Sequence, residues 1–284
     1  MNIFLLIISV LMGAGRSIFS KKMTTCSTQF RTFYINQSIL FLSAAIAIFV
    51  FDLKAFVGIT RLTIIYGVCF GIATFLAQWC YTIALSKGPT SICAMVYSFG
   101  FIFPTVSGVL FWNETFTVTS ILGLLIAISA IIASAFSGGK NVNVGSSFII
   151  PNLIAMLSSG ALGIMQKMHQ SSSDKENLQG FLVVAFLLAA LFAYAFSFSK
   201  TKECKEQRKV NVFPVLAGCC FGVVSMLNTL LAGRMPSAII FPTLNIGVMI
   251  MCLVAGIFIF KEKPTKPQII AFTLGISAIL VLSL

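Results

Sequence analysis

The chain is short of charge and has almost nothing to titrate near neutrality. Charged residues make up 9% of its 284 residues, and only seven residues are acidic; soluble domains carry about 25% charge. A soluble domain of this length can bury a good core, but it cannot clothe its outside with so few charges, so the bilayer is the solvent that suits this surface. Histidine occurs once, at His169, and no C-x-x-C occurs among the eight cysteines, which argues against a structural zinc site. Cys69, Cys80, Cys93, Cys219, Cys220 and Cys252 lie inside apolar stretches, where a thiol packs as a small hydrophobe. All seven acids (Asp52, Glu114, Asp174, Glu176, Glu203, Glu206, Glu262) lie in or beside loops. An exporter of cationic drugs that trades protons for substrate needs an acid at membrane depth, so cationic substrates are disfavoured. His169 stands beside a loop and reads as a surface residue.

What is present is apolar length. Hydrophobic residues are 58% of the chain, with 28 Phe and only two Trp, Trp79 and Trp112. A spanning helix needs about 20 apolar residues, and ten segments qualify: 2–20, 32–51, 63–85, 89–112, 118–137, 148–168, 179–198, 212–232, 236–260 and 267–284. Ile3–Met12 followed by Gly13-Ala14-Gly15 has the look of a signal peptide, but no basic residues precede it, and it is taken as the first span. The net charge of +12 sits in the connections, where cations set topology and meet anionic headgroups, so nucleic acid is not the expected partner.

The segments repeat. Gly67–Gly71 (GVCFG) returns as Gly218–Gly222 (GCCFG), 151 residues on, and Ile128–Ile132 (ISAII) as Ile276–Leu280 (ISAIL), 148 residues on. Asn2, Ser9 and Gly13 match Asn152, Ser159 and Gly163 at an offset of 150, and Glu114 matches Glu262 at 148. The expected fold is therefore an all-α integral membrane protein: ten transmembrane helices as two inverted five-helix repeats, 1–138 and 139–284. Five spans per copy force the second copy to enter upside down, and transporters built this way bind substrate between the halves, near the midplane. The odd-numbered connections hold 13 Lys/Arg and the even-numbered ones five, which by charge bias puts both termini outside.

The duplicated five-helix unit, together with A-L-x-x-G-P-T-S at Ala84–Ser91 and its echo A-G-R-M-P-S-A at Ala232–Ala238, resembles the drug/metabolite transporter superfamily, specifically its ten-helix EamA-type branch. The pairing of Glu114 with Gly123, and of Glu262 with Gly275, is similar to a family pattern of a Glu after the fourth helix and a Gly in the next. The resemblance covers essentially the whole chain. It implies a carrier working by alternating access, and usually both termini inside, against the charge bias. Met12-Gly13 stands where the family often has Trp-Gly.

Polar groups within spans are costly and usually face the bundle interior. Arg16 is the one cation well inside the first span, with Gln166 as its mate. It either faces the cavity and pairs with a carboxylate or phosphate, or snorkels to headgroups as Lys21 and Lys22 follow. Gln78 and Trp79 lie opposite Asn228 and Thr229 in the repeat, and Tyr97 opposite Asn245. Each either contacts substrate or bonds a neighbouring helix. Asn36, Gln37, Tyr34 and Tyr81 are weaker candidates. Gly67, Gly71, Gly218 and Gly222 form small-xxx-small motifs, and Pro104 and Pro242 kink their spans; both sets serve as hinges or as static packing.

The expected activity is secondary transport of a small polar metabolite, an amino acid or organic acid, with no catalysis, no metal and no cofactor. A nucleobase- or vitamin-like aromatic carried between Trp79, Tyr97, Phe99 and Phe101 is the alternative. A non-transporting receptor, or an intramembrane enzyme acting on lipid, is the rival of a different class. Its partners would be substrate and bilayer, with a monomer sufficient. The expected location is the plasma (inner) membrane of a prokaryote.

Overall fold

A computed structural model describes residues 2–25, 30–53, 59–87, 96–135, 146–198, 212–258 and 266–282. The described residues contain ten α-helices and no strand: α1 Asn2–Thr25, α2 Phe30–Phe51, α3 Arg61–Lys87, α4 Ile102–Trp112, α5 Val118–Ala135, α6 Ser146–Gln170, α7 Leu178–Phe196, α8 Phe213–Ala232, α9 Ser237–Phe258 and α10 Lys266–Leu282. A 3-10 turn, Phe99–Phe101, leads into α4. Among the described residues, seven helices are long and apolar enough to cross a membrane; Val96–Trp112, Val118–Ala133 and Ile269–Leu282 are shorter apolar stretches. The Gly88-Pro89 corner, the Gly138–Lys140 link between the repeats, the basic stretch 199–210 and Glu262 lie outside the described residues.

The chain packs as two compact units, each drawing on both halves of the sequence. Apart from the first two residues, unit 1 is Ile3–Phe75 with Met168–Leu230, and unit 2 is Leu76–Lys167 with Leu231–Leu284.

In unit 1, α2 and α7 lie antiparallel. Ser38 Oγ donates to Ala190 O at 3.0 Å, and Phe41 meets Phe186 while Tyr34 stacks on Phe196. α3 runs parallel to α7: a Cβ on Gly71 would lie 2.6 Å from Ala185 O, and one on Gly67 2.9 Å from Val184. α8 runs parallel to α2 in the same way: a Cβ on Gly222 would lie 2.6 Å from Ala44 O, and Gly218 packs against Leu40 and Ser43. Only a residue without a side chain lets backbones approach this closely, and in a bilayer such packing replaces the hydrophobic effect as the force between helices. α1 runs antiparallel to α8, with Ser9 near Asn228, Gly15 on Cys220 and Phe19 on Phe213.

In unit 2, α4 lies parallel to α6. Gly100 sits on Met156 O and Ser159, Phe103 on Gly160, and Pro104 on Gly163. α4 is antiparallel to α9, since Gly108 faces Ser237 while Gly163 brings Pro104 and Phe241 together. α5 and α10 pair closely, with Gly123 at the start of one against Leu282 at the end of the other.

Candidate functional site

Arg16 is half-buried on α1, and its guanidinium carbon stands 3.6 Å above the centre of the Phe221 ring. α1 continues to Thr25, nine residues past Arg16, so Lys21 and Lys22 are still helical and Arg16 is well short of the helix end. Face-on stacking uses the guanidinium plane and not its N–H edges, the groups that fork onto a carboxylate. Asn228 lies in the same unit, where its Oδ1 accepts from Ser9 Oγ at 2.5 Å. Its amide thus ties α8 to α1, the interhelical bond weighed for it from sequence.

Gln78, Trp79, Tyr97, Gln166 and Asn245 belong to unit 2. Gln78 is buried and Trp79 is half-buried on α3, with Thr82 Oγ1 donating to Gln78 O at 2.6 Å. Tyr97 stands next to Tyr81, ring centres 4.7 Å apart. Asn245 Nδ2 donates to Phe241 O at 2.9 Å, within its own helix at the Pro242 interruption. Gln166 is buried on α6, one turn beyond Gly163, where Pro104 of α4 meets Phe241 beside Pro242. The two prolines, out of step in sequence, therefore have neighbouring segments at one glycine. Gly67, Gly71, Gly218 and Gly222 all sit at close helix contacts in unit 1.

Several hydroxyls inside the helices bond their own backbone. Thr105 donates to Phe101 O, Ser107 to Pro104 O and Thr229 to Ser225 O, at 2.7–2.9 Å. In hydrocarbon this satisfies the group without help from a neighbour, and it removes Thr229 as a donor for anything else.

Three features correct or extend the sequence reading. His169 is not a surface residue: it is 0% exposed, stacked on Phe181 at 4.4 Å and edge-on to Tyr66. Its place in the last turn of α6, packed against α3 and α7, hides a ring that loop proximity suggested was outside. Beside it, Asp174 accepts hydrogen bonds from Thr60 and Thr63 at the start of α3. The Thr60 hydroxyl first, then those of Thr63 and Ser173 and the nearby His169, hold its carboxyl below the usual range against a desolvation that acts the other way.

Lys167 lies within α6 and pairs with Glu114 at 2.6 Å, both side chains largely buried. Glu114 also accepts from Ser237 N at 2.7 Å and Ser237 Oγ at 3.2 Å, at the start of α9. Asn113, left-handed at φ 51°, turns the chain so that Glu114 N reaches Gly108 O at 3.2 Å. Gly108 leaves room for the carboxylate, since a Cβ there would also meet Ser237 at 2.8 Å. One acid thus joins the exit of α4, the end of α6 and the start of α9, where the helix dipole favours it. Among the described residues, no three His, Cys, Asp or Glu side chains stand together as a metal site requires.

No family model matches the sequence, and no curated protein does. In fold, 29 solved chains match. The chain is similar to a crystal structure with a TM-score of 0.79 at 10% identity, over 99% of this chain and 95% of the other. The two share a fold. The observations establish a helical chain with, among the described residues, seven apolar helices of membrane-spanning length.

Proposed function

We propose that the chain is a secondary transporter moving a small polar metabolite by alternating access, and that its ten helices cross the membrane as two inverted five-helix repeats, 1–138 and 139–284, as in the EamA-type branch of the drug/metabolite transporters. The observation that carries this reading is the duplicated packing of unit 1. α3 rests on α7 as α8 rests on α2, glycine to alanine carbonyl, while α2 and α7 run antiparallel. Two copies of one unit inserted in opposite senses predict this, and inversion gives one chain two mirror-related states of access. The antiparallel pairs α4 with α9 and α5 with α10 agree with it.

The substrate is an amino acid or a related organic acid. Within unit 1, Arg16, stacked on Phe221, supplies the charge for a carboxylate. No catalysis or cofactor is required, and a monomer in the plasma membrane suffices. Uptake into proteoliposomes from a panel of the twenty labelled L-amino acids, lactate, succinate and uracil tests this. Substrate-dependent flux of an acid or amino acid is expected. Flux of none of these compounds overturns the reading, and flux of uracil alone shifts it to the aromatic alternative.

A further inference from the structure

Asn152 lies on α6, three residues inside the apolar span Ile149–Gln170, and is 1% exposed. Among the described residues, neither its Oδ1 nor its Nδ2 has a hydrogen-bond partner. An amide buried in this way is among the costlier groups a helix bundle can hold, and a leucine of similar volume would pack there without that cost. The neighbouring chemistry makes it stand out. Thr105 and Ser107 of α4 turn back onto carbonyls of their own chain segment, and Asn245 does the same onto Phe241 O. Asn152 does not.

The register within unit 2 gives its level. α4 and α6 advance together, from Gly100 on Met156 and Ser159 to Pro104 on Gly163. One turn back on both helices, Asn152 stands level with the first described turn leading to α4, which carries Tyr97 beside Tyr81 of α3. Asn152, Met156, Ser159, Gly163 and Gln166 fall at spacings of four and three, on one face of α6. The two ends of that face are buried amides, and its centre is occupied by α4.

Resting on the transporter reading above, we propose that Asn152 is a further substrate-contact residue for a zwitterionic amino acid. Its Nδ2 donates to the substrate carboxylate and its Oδ1 accepts from the ammonium group, at the end of unit 2 where Tyr81 and Tyr97 provide an aromatic wall. One amide offers both roles, which suits a ligand that is donor and acceptor at once.

Thermal unfolding and uptake of the twenty labelled L-amino acids by Asn152→Leu, in parallel with wild type, test the proposal. The substrate-free midpoint should hold or rise, since an unpaired amide has been removed, while uptake at low concentration falls at least tenfold. Asn152→Ala, which adds no volume, should keep the midpoint within a few degrees and lose uptake likewise. A midpoint lowered strongly in both variants means that the amide has a structural partner, and uptake equal to wild type means that substrate does not meet it; either result overturns the proposal. Wild-type protein that takes up no amino acid fails at the earlier step, overturning the amino-acid reading and this inference with it.

Discussion

Gly71 lies on the backbone of Ala185: a Cβ added to it would stand 2.6 Å from the alanine carbonyl oxygen, 3.2 Å from its Cα and 3.3 Å from its carbonyl carbon. Gly222 and Ala44 reproduce all three distances. The sequence motif GxxxG thus marks two copies of one helix junction in unit 1. Gly71→Val and Gly222→Val should each destabilise the protein, by about 1–3 kcal/mol for forced overpacking, and by similar amounts. Thermal unfolding in detergent measures this. A valine accepted at one position and not the other would show that the junctions are unlike.

The Glu114–Lys167 pair holds three helices of unit 2 together. Glu114→Gln or Lys167→Met alone leaves one charge largely buried without its partner, which costs about 3–5 kcal/mol when burial is complete and less at the 12% and 14% exposure found here. The double variant Glu114→Gln/Lys167→Met should recover part of the loss. A double-mutant cycle on unfolding midpoints reads the coupling, and purely additive losses would mean that the pair does not act as one.

Asp174 carries a pH dependence of defined sign. Its carboxyl is held below the ordinary range by the Thr60 hydroxyl and its neighbours, so the ionised form is favoured by folding. That contribution is complete above the ordinary carboxylate range and is lost as pH falls through the lowered value. Thr60→Val should therefore flatten the decline in unfolding midpoint between neutral and acid pH, with little effect on its shape above neutrality. Asp174→Asn should do the same, and an unchanged acid limb in both variants would contradict the assignment.

The transport role proposed for Arg16 rests on its guanidinium fork. Arg16→Ala should abolish uptake of anionic and zwitterionic substrates, and Arg16→Lys should recover little, because an ammonium neither stacks on Phe221 nor binds a carboxylate in two-pronged fashion. Concentration-dependent uptake measures it. Wild-type KM in Arg16→Ala would leave the residue with a packing role.

Much of the architecture is legible in the sequence because a bilayer imposes a simple pattern. Apolar length marks the helices, and the described helices follow the expected segments except α4, Ile102–Trp112, which covers only part of 89–112; α1 runs past Ser20 to Thr25 because Lys21 and Lys22 are tolerated in its last turns, with Lys22 over Phe213. The glycine repeat marks the junctions for the same reason, since close backbone contact is a main source of helix association in lipid. Side-chain pairing was not legible. His169 and Lys167 stand next to connections, and nothing local tells that Phe181 and Tyr66 cover one ring while Glu114, 53 residues earlier, neutralises the other charge. Asn228 and Asn245 were marked as polar groups in spans, but whether such an amide bonds a helix or a ligand depends on a neighbour that sequence spacing does not reveal. Asn152 was found only as the mate of Asn2; its burial without a partner is a property of the packed unit.

The central claim, carrier-type transport, is tested most directly by counterflow. Proteoliposomes loaded with an unlabelled member of the amino-acid panel are diluted into a trace of the same compound in labelled form. The account predicts transient accumulation of label above equilibrium, which requires one site presented alternately to each side. Label that only equilibrates, or enters at the same rate whether or not the lumen holds substrate, would contradict it.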